Sequence, residues 1–513
     1  MTARYVPLSQ SEIAIDSTSI PTPRQSPSVS PPPFKDGGGM WMGGRYVIFR
    51  SNRYARLGVL AVIIIIIVLT IRHMYYAEWT YQGGTGSLFE IPHHIFGRPS
   101  DFSLPHKKSD WFDQNCYPPE FKLGQSIGHV YEKLEYMKKS KDSECTNIWT
   151  LFNEIFTMEG IDADLVIPEG FQAEVKGWLG NDPELFKQIH HQKIYKIVIK
   201  GSHEETVFNP LRSKRPTSKS SINPVDYIAN LSASTQSTCD FCQYKDHTAE
   251  DVFGRIDNKY SASASNTFKL AKFHGLFFPK THHPVNISFQ ALLDLFVNTS
   301  QQWFETAHKQ DTTQRYPSIL WDVLPHAGAS QVHPHVHGLL GVHQYSGAFE
   351  KLHAISQEYY AKHHRSYWTD LIKVHDALGL VVRFGDAVAM VPLFSRKDHE
   401  YMILAPQVDD TFATLIYTIL EGYKNNLGVY CFSAGGAYPF LGDQTRNLDA
   451  YLQPGLPAIF RSGSRGLCTS VSSDVSSLEL YTVNNINSDI SVTLNALKKS
   501  IETFLSTDQN IRV

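Results

Sequence analysis

The run His333-Pro334-His335-Val336-His337 puts three imidazoles at alternate positions in a segment of β pattern. Alternate side chains of a strand share a face, so the three rings are expected in one row. Such a row suits metal binding, phosphate binding or nucleophilic attack, and a surface histidine cluster is the bland alternative. Upstream, Cys239-Asp240-Phe241-Cys242 has the spacing at which two thiolates on one tight turn reach a single tetrahedral ion. Alone, a C-x-x-C is equally a disulfide or a redox pair. Adding His282 or His283, from Pro279-Lys280-Thr281-His282-His283, and one histidine of the triplet completes the donor set of a closed zinc site. Arg212 and Arg215 lie in a basic stretch, Arg212 to Lys219, that is suited to phosphate oxygens or is simply a solvated loop.

Several elements must position these groups. From Tyr195 onward the sequence has short β-rich runs separated by turns: Tyr195 to Ile199, Leu276 to Phe278 and Ile319 to Leu324. Between them, Phe289 to Ala307 carries Leu292, Leu295, Phe296 and Trp303 at helical spacing. A similar order recurs, with strands Gly379 to Arg383, Ala387 to Pro392 and Tyr401 to Leu404 before the helical stretch Thr411 to Asn425. The pattern predicts two related α+β halves, each a sheet backed by a helix. Before them, residues 80–190 alternate loops with short helical patterns such as Ile127 to Lys138 and carry no chemical motif.

The chain has 513 residues, enough for several packed domains, and 42% hydrophobic residues, as in a globular protein. Its 47 Lys+Arg against 50 Asp+Glu provide no overall basic field, which disfavours a general nucleic-acid binder. Six cysteines are too few for a disulfide scaffold.

From Ser9 to Gly39 the chain is rich in Ser, Pro and Gly and is expected to be disordered. Leu57 to Ile71 is the one long uncharged apolar run, short for an average bilayer, with Tyr75, Tyr76 and Trp79 behind it as an interfacial belt. A buried core helix is the alternative. Arg45, Arg50, Arg53 and Arg56 precede the run and only Arg72 follows closely, which places the N-terminus in the cytosol. The expectation is a single-pass type II anchor of the Golgi or endoplasmic reticulum with the catalytic part lumenal. Sequons at Asn230, Asn286 and Asn298 fit that side, and an oxidising lumen allows Cys116 to pair with Cys145 and Cys431 with Cys468. The expected organisation is a cytosolic tail over 1–56, a transmembrane signal anchor over 57–76, a lumenal stem and accessory region over 77–194, a catalytic half over 195–350 and a second, non-catalytic half over 351–513.

Four motifs in order carry a resemblance: Asn209-Pro210-Leu211-Arg212-Ser213-Lys214-Arg215-Pro216, Cys239-Asp240-Phe241-Cys242, Pro279-Lys280-Thr281-His282 and Gly328-Ala329-Ser330-Gln331-Val332-His333-Pro334-His335. The series resembles that of galactose-1-phosphate uridylyltransferases, within the wider histidine-triad superfamily, over about residues 195–470. Leu378 to Gly385, Met390-Val391-Pro392 and Leu404-Ala405-Pro406 resemble that family's second half. The resemblance implies an α+β fold of two histidine-triad-like halves, antiparallel sheets backed by helices, and a zinc-containing nucleotidyltransferase with a nucleotide sugar as donor and a sugar 1-phosphate as acceptor. It makes His335 the nucleophile that attacks the α-phosphate. It assigns zinc to Cys239, Cys242, His282 rather than His283, and His333; nucleotide and phosphates to Arg212, Arg215 and Asn266; and a phosphate contact to Ser330. It is also compatible with a homodimer.

Uridylyltransferases carry glutamine two residues after the nucleophile, where this chain has His337, the arrangement of the hydrolytic histidine-triad branch. A histidine there donates a hydrogen bond as glutamine does and also exchanges protons with a leaving group or water. A nucleotide hydrolase or phosphorylase using the same covalent step is therefore the second reading. A non-catalytic lumenal nucleotide-binding or scaffold protein is the third.

Overall fold

The computed structural model describes residues 107–216, 220–442, 455–470 and 472–508. The tail and the apolar run at Leu57 to Ile71 lie outside the described residues. Among the described residues no helix is long and apolar enough to cross a membrane.

The N-terminal part begins with helices whose apolar residues recur at three- and four-residue spacing. Helix Ile127–Lys139 buries Ile127, Val130, Leu134 and Met137, and the Ser126 side chain caps it by accepting from the His129 N–H. Helix Ser143–Ile155 starts at Asp142, whose carboxylate accepts from the Glu144 and Cys145 amides. A disulfide joins Cys116 to Cys145, the pairing expected from the sequence. The other expected pair is not bonded: Cys431 and Cys468 are buried free thiols. They flank two paired strands, one just before Phe432–Ala437 and the other after Ala458–Ser464, and are neighbours without a bond.

Strands β1 (Phe156–Asp164), β2 (His191–Ile199) and β3 (Glu205–Phe208) form a small antiparallel sheet. The expected division at 194/195 therefore runs through β2.

A nine-stranded sheet follows: β4 (Ser261–Ser265), β5 (His274–Pro279), β6 (Tyr316–Val323), β7 (Val336–Gly341), β8 (Val381–Phe384), β9 (Ala387–Met390), β10 (Tyr401–Ala405), β11 (Phe432–Ala437) and β12 (Ala458–Ser464). The order is β4-β5-β7-β6-β11-β12-β10-β9-β8, antiparallel throughout. Strand β13 (Val483–Ile486) completes the small sheet by pairing parallel to β3. The α+β class and antiparallel sheets match the expectation. The two halves, however, share one sheet, because β6 and β11 pair from Phe432↔Val323 to Ala437↔Ser318.

One face of the first half packs on the helical segment Phe289–Gln310, which has a wider turn at Asp294–Thr299. Its Trp303 and Phe304 meet Phe277 of β5 with ring centroids 5.3 and 5.7 Å apart. Gly275 and Gly338 are cross-strand partners that make room for these rings. A Cβ on Gly275 would lie 2.6 Å from Trp303, and one on Gly338 2.5 Å from Phe277. Along β7, Val336, Gly338 and Leu340 are buried while His337, Leu339 and Gly341 are half-buried, the alternation of a sheet with one open face. His337 stands on that open side.

Candidate active site and metal centre

The histidines do not form a single row. Pairing with β5 starts at Val336↔Phe277, after Pro334, which has no N–H to give a ladder. His333 therefore leaves the line of the strand and joins the cysteines, while His335 and His337 stay together with ring centroids 5.2 Å apart.

Cys239, Cys242, His282 and His333 offer donor atoms that all lie within 4.8 Å of one another. Cys239 Sγ lies 3.4 Å from His333 Nδ1, and Cys242 Sγ lies 3.4 Å from His282 Nδ1 and 3.6 Å from His333 Nδ1. Zinc–sulfur and zinc–nitrogen bonds at a tetrahedral angle would separate S and N by about 3.6 Å, so the spacing fits such an ion. Both rings present Nδ1 because their far edges are held elsewhere. His333 Nε2 lies 2.7 Å from the Pro279 carbonyl, and His282 Nε2 lies 3.1 Å from the Ser232 carbonyl and 3.2 Å from Thr235 Oγ1. Such partners orient metal-ligating imidazoles. Burial keeps both rings neutral, His333 with its pKa lowered to about 4. Without an ion, burial and the neighbouring Cys239 push the Cys242 thiol up to about 11. His283 faces away, its Nδ1 accepting from the Val285 and Asn286 amides, so the choice of His282 agrees with the geometry.

His335 is 5% exposed. Its Nδ1 lies 2.9 Å from the His333 carbonyl oxygen, which can only accept, so Nδ1 carries the proton and Nε2 keeps its lone pair. Desolvation lowers its pKa, partly opposed by the hydrogen bond to His333 and the charge of Asp322, so the neutral form is favoured. Its ring stacks at 5.2 Å, tilted 32°, on Phe241, which lies between the two cysteines. Phe241 also contacts His333 at 5.6 Å and Phe278 at 4.7 Å, so one ring couples the Cys₂His₂ cluster to the candidate nucleophile. His337 is half-buried, and desolvation together with His335 and His274 lowers its pKa to about 4.

The remaining expected residues are placed less tightly. Ser330 is exposed on the loop between β6 and β7, which turns at Gly328 with φ +108°, a conformation that favours glycine. Asn266 Oδ1 accepts from the Phe268 N–H at 2.8 Å, and its Nδ2 lies 3.3 Å from His274 Nε2. Arg212 sits in the single turn Pro210–Lys214, and Arg215 follows, exposed. Neither arginine bonds to the histidine cluster among the described residues. Arg212 Nε is buried with no partner, and burial followed by the charge of Arg215 lowers its pKa.

The sequence reading missed His274, Phe241 and Asp322. His274, on β5, brings Nε2 to 3.0 Å from His337 Nδ1. No motif marks it, and only the pairing of β5 with β7 creates the contact. Phe241 was visible inside the C-x-x-C, but its stacking on His335 depends on the tertiary fold.

No protein-family model matches the chain, and no curated protein matches it. Among solved structures it is similar to an ADP-glucose phosphorylase from Arabidopsis thaliana with bound ADP-glucose, at 13% identity over 57% of this chain and 94% of that one, with a TM-score of 0.44. It is also similar to a uridylyltransferase, at 12% identity over 48% and 86% with a TM-score of 0.41. A yeast Ap4A phosphorylase matches at 11% identity over 65% and 97%, with a TM-score of 0.28. These neighbours are nucleotide transferases and phosphorylases. At such identities and TM-scores, the function of this chain rests on its own side chains.

Proposed function

We propose that the chain is a nucleotidyltransferase working through a covalent nucleotidyl-histidine on His335. The observation that carries this reading is the fixed tautomer of His335, whose Nδ1–H is held by the His333 carbonyl and whose Nε2 is left as a nucleophile in neutral form. Nε2 attacks the α-phosphorus of a nucleotide sugar. The bond from that phosphorus to the bridging oxygen breaks, and its electron pair leaves with the sugar phosphate. An oxygen of an incoming sugar 1-phosphate then attacks the same phosphorus, and the bond to Nε2 returns its electrons to the imidazole. His337 supplies a donor beside the reacting centre. Arg212, with an unpartnered buried Nε, is suited to phosphate oxygens, and Arg215, Ser330 and Asn266 complete the phosphate and nucleotide contacts in this reading.

Zinc would be held by Cys239, Cys242, His282 and His333. Four protein donors leave no open position, so it would supply structural tethering rather than a bound nucleophile. Through Phe241 that tether reaches His335.

A hydrolase or phosphorylase is the second reading, favoured by His337 in place of glutamine. A scaffold that only binds nucleotide is disfavoured, because binding has no need of a nucleophile held in one tautomer. We place the catalytic part in the lumen of the early secretory pathway, behind a single-pass anchor at Leu57 to Ile71. This is supported by the arginines before that run, the Cys116–Cys145 disulfide and the exposure of Asn230, Asn286 and Asn298. Glycosidase-sensitive glycosylation is expected there, and its absence with residues 73–513 digestible from the cytosol would reverse the topology.

The test of the reaction is intact mass of the full chain after brief exposure to UDP-glucose, beside His335→Ala. The expected result is a gain of one nucleoside monophosphate in the wild type only. Labelled adduct that leaves on adding a sugar 1-phosphate identifies the transferase, and adduct that leaves equally fast to water identifies the hydrolase. No adduct with any nucleotide sugar or dinucleotide would overturn the covalent reading.

A further inference from the structure

Asp322 lies on β6, where Leu320 pairs with His337 of β7. Alternate residues of paired strands share a face, so that register, carried two residues on, brings Asp322 to the side of His335. The charge of Asp322 acts on that ring. On its other edge β6 pairs with β11, Asp322 opposite Ser433, and Ser433 Oγ donates to Asp322 Oδ1 at 2.5 Å. The Arg465 guanidinium stands 4.0 Å from the same oxygen but is committed elsewhere, with Nε and Nη2 donating to the two Asp474 oxygens at 2.5 and 2.9 Å. Oδ2 has no hydrogen-bond partner among the described residues, and a Cβ on Gly328 would lie 3.6 Å from it. The carboxylate is thus fixed in place and its charge is only partly offset.

A carboxylate is a poor neighbour for the phosphates of a nucleotide sugar, since like charges repel. Its presence beside the nucleophile needs a gain that arises later in the reaction. Before attack His335 is neutral, with the Nδ1 proton on the His333 carbonyl. When Nε2 bonds to the α-phosphorus, the bond to the bridging oxygen breaks and its electron pair leaves with the sugar phosphate. The ring keeps the Nδ1 proton and becomes a cationic imidazolium, to which the His333 carbonyl offers only a dipole.

We propose that Asp322 is a positioning residue acting through His335, whose negative charge opposes the anionic donor before attack and stabilises the imidazolium of the nucleotidyl-histidine after it. Such a role rests on the covalent reaction already proposed and adds what holds its intermediate. An interaction that is stronger after attack than before favours the step, whereas equal binding of both states does not. When the acceptor phosphate takes the phosphorus and the electrons return to the ring, the cation and its attraction to Asp322 vanish together. The attraction must therefore be moderate for the intermediate to turn over. The Asp322 side chain is 45% exposed and has Arg465 at 4.0 Å, and both temper its charge.

The test is Asp322→Asn in the full chain, which keeps an oxygen for Ser433 but loses the charge. Intact mass reads the fraction of adduct at equilibrium with UDP-glucose and glucose 1-phosphate at a fixed ratio. The equilibrium constant for adduct formation is expected to fall about tenfold. The UDP-glucose concentration that half-saturates the rate of adduct formation should hold or fall, because the repulsion of the donor has gone. A merely structural role cannot give that split, since loosened packing weakens donor binding and adduct together. Asp322→Glu is expected to stay within about threefold of the wild type, since the charge remains. An adduct fraction in Asp322→Asn equal to that of the wild type would overturn the proposal. So would a fall accompanied by weaker donor binding, or a fall of the same size in Asp322→Glu. Should Asp322→Asn fail to fold, Asp322→Ser is the second neutral variant and is held to the same outcomes. No adduct in the wild type would overturn the covalent reaction and this role with it, whereas wild-type adduct that ignores the charge at position 322 would overturn this role alone.

Discussion

The two halves of the large sheet read alike from their outer edges toward the seam, and yet only one carries the histidines. The first runs β4-β5-β7-β6 and the second β9-β10-β12-β11, with β8 as an added edge strand, and equivalent strands β6 and β11 meet in the middle. In each, a helical segment joins the second and third of these strands in chain order, Phe289–Gln310 in one and Asp410–Gly422 in the other. The strand in the place of β7 is β12. Where β7 alternates buried and half-buried, the first five residues of β12 are all buried, and Ala458, Ile459 and Phe460 begin it in place of imidazoles. The reason is what covers the second half. Phe156, at the start of β1, packs 5.8 Å from Phe394, whose ring lies 4.8 Å from the Arg461 guanidinium of β12, while Arg396 pairs with Glu204 at 2.6 Å. The accessory region thus closes a face that the first half leaves open. One architecture used twice gives an open face for chemistry and a covered face for stability.

Breaking the proposed metal centre should have the largest effect, because it acts on the open half alone. Cys239→Ser, or treatment of the full chain with a strong chelator, is expected to release the ion and to cut adduct formation on the order of 100-fold. Phe241 would lose its anchoring turn and His335 its stacked neighbour. Metal content by mass spectrometry and adduct yield should fall together, and adduct formation at the normal rate by metal-free protein would separate the two sites.

On the covered half the corresponding change should cost stability instead. Arg461 and Glu400 are each 5% exposed and joined at 2.7 Å. Arg461→Met leaves Glu400 buried without its partner, which is expected to cost about 3–5 kcal/mol. Denaturant melts check this, and adduct formed per folded molecule should stay as in the wild type. A loss of adduct with unaltered stability would mean that the second half takes part in the reaction.

The covered half also predicts a pH effect. His375 is fully buried, its Nδ1 bonded to the Leu371 carbonyl at 2.8 Å and its Nε2 accepting from the Leu393 amide at 3.2 Å. Desolvation lowers its pKa to about 4 from the ordinary 6.5. Below pH 6.5 the unfolded chain takes up this proton and the folded chain does not, so stability is complete above that pH and is lost as pH falls toward 4. His375→Gln should remove on the order of 3 kcal/mol of the stability lost across that window, read from melts at successive pH values. An unaltered slope would place the acid sensitivity elsewhere.

Much of the site was legible because it is contiguous in sequence. His-Pro-His-Val-His and the C-x-x-C are local, and their Cys239, Cys242 and His333 come together with His282 of Pro279-Lys280-Thr281-His282 as expected. The helices at Ile127 and Phe289 were legible from apolar spacing, and the second half's strands fall close to their expected places. What failed depended on long-range pairing. The single sheet arises from β6 and β11, more than a hundred residues apart, and the start of β2 from antiparallel pairing with β1 across an intervening helical segment that no motif marks. The row of three imidazoles failed at Pro334, whose missing N–H could have warned that the strand begins only at Val336. His274 was hidden because its partner lies 63 residues away.

The smallest predicted effect tests whether the second half is merely passive. At the end of β12, Arg465 reaches back across the seam, donating from Nη1 to the Ala327 carbonyl at 2.7 Å and to Ser433 Oγ at 2.8 Å, while Asp474 holds its other edge. Ala327 opens the loop that carries Gly328, Ser330 and His335, and Ser433 in turn bonds Asp322, whose charge acts on His335. Arg465 therefore fixes the approach to the nucleophile without touching substrate in the proposed reaction. Arg465→Met keeps the stem but removes both tethers, and the expected result is a slowing of adduct formation of about tenfold, the lower end of what loss of an orienting partner costs. Arg465→Lys, which can keep one bond, should recover part of the rate, and metal content should be unchanged in both. A normal rate in Arg465→Met would leave the second half with a stabilising role alone. Slowing accompanied by loss of metal would instead trace the effect to the Cys₂His₂ cluster, and with it to the first half.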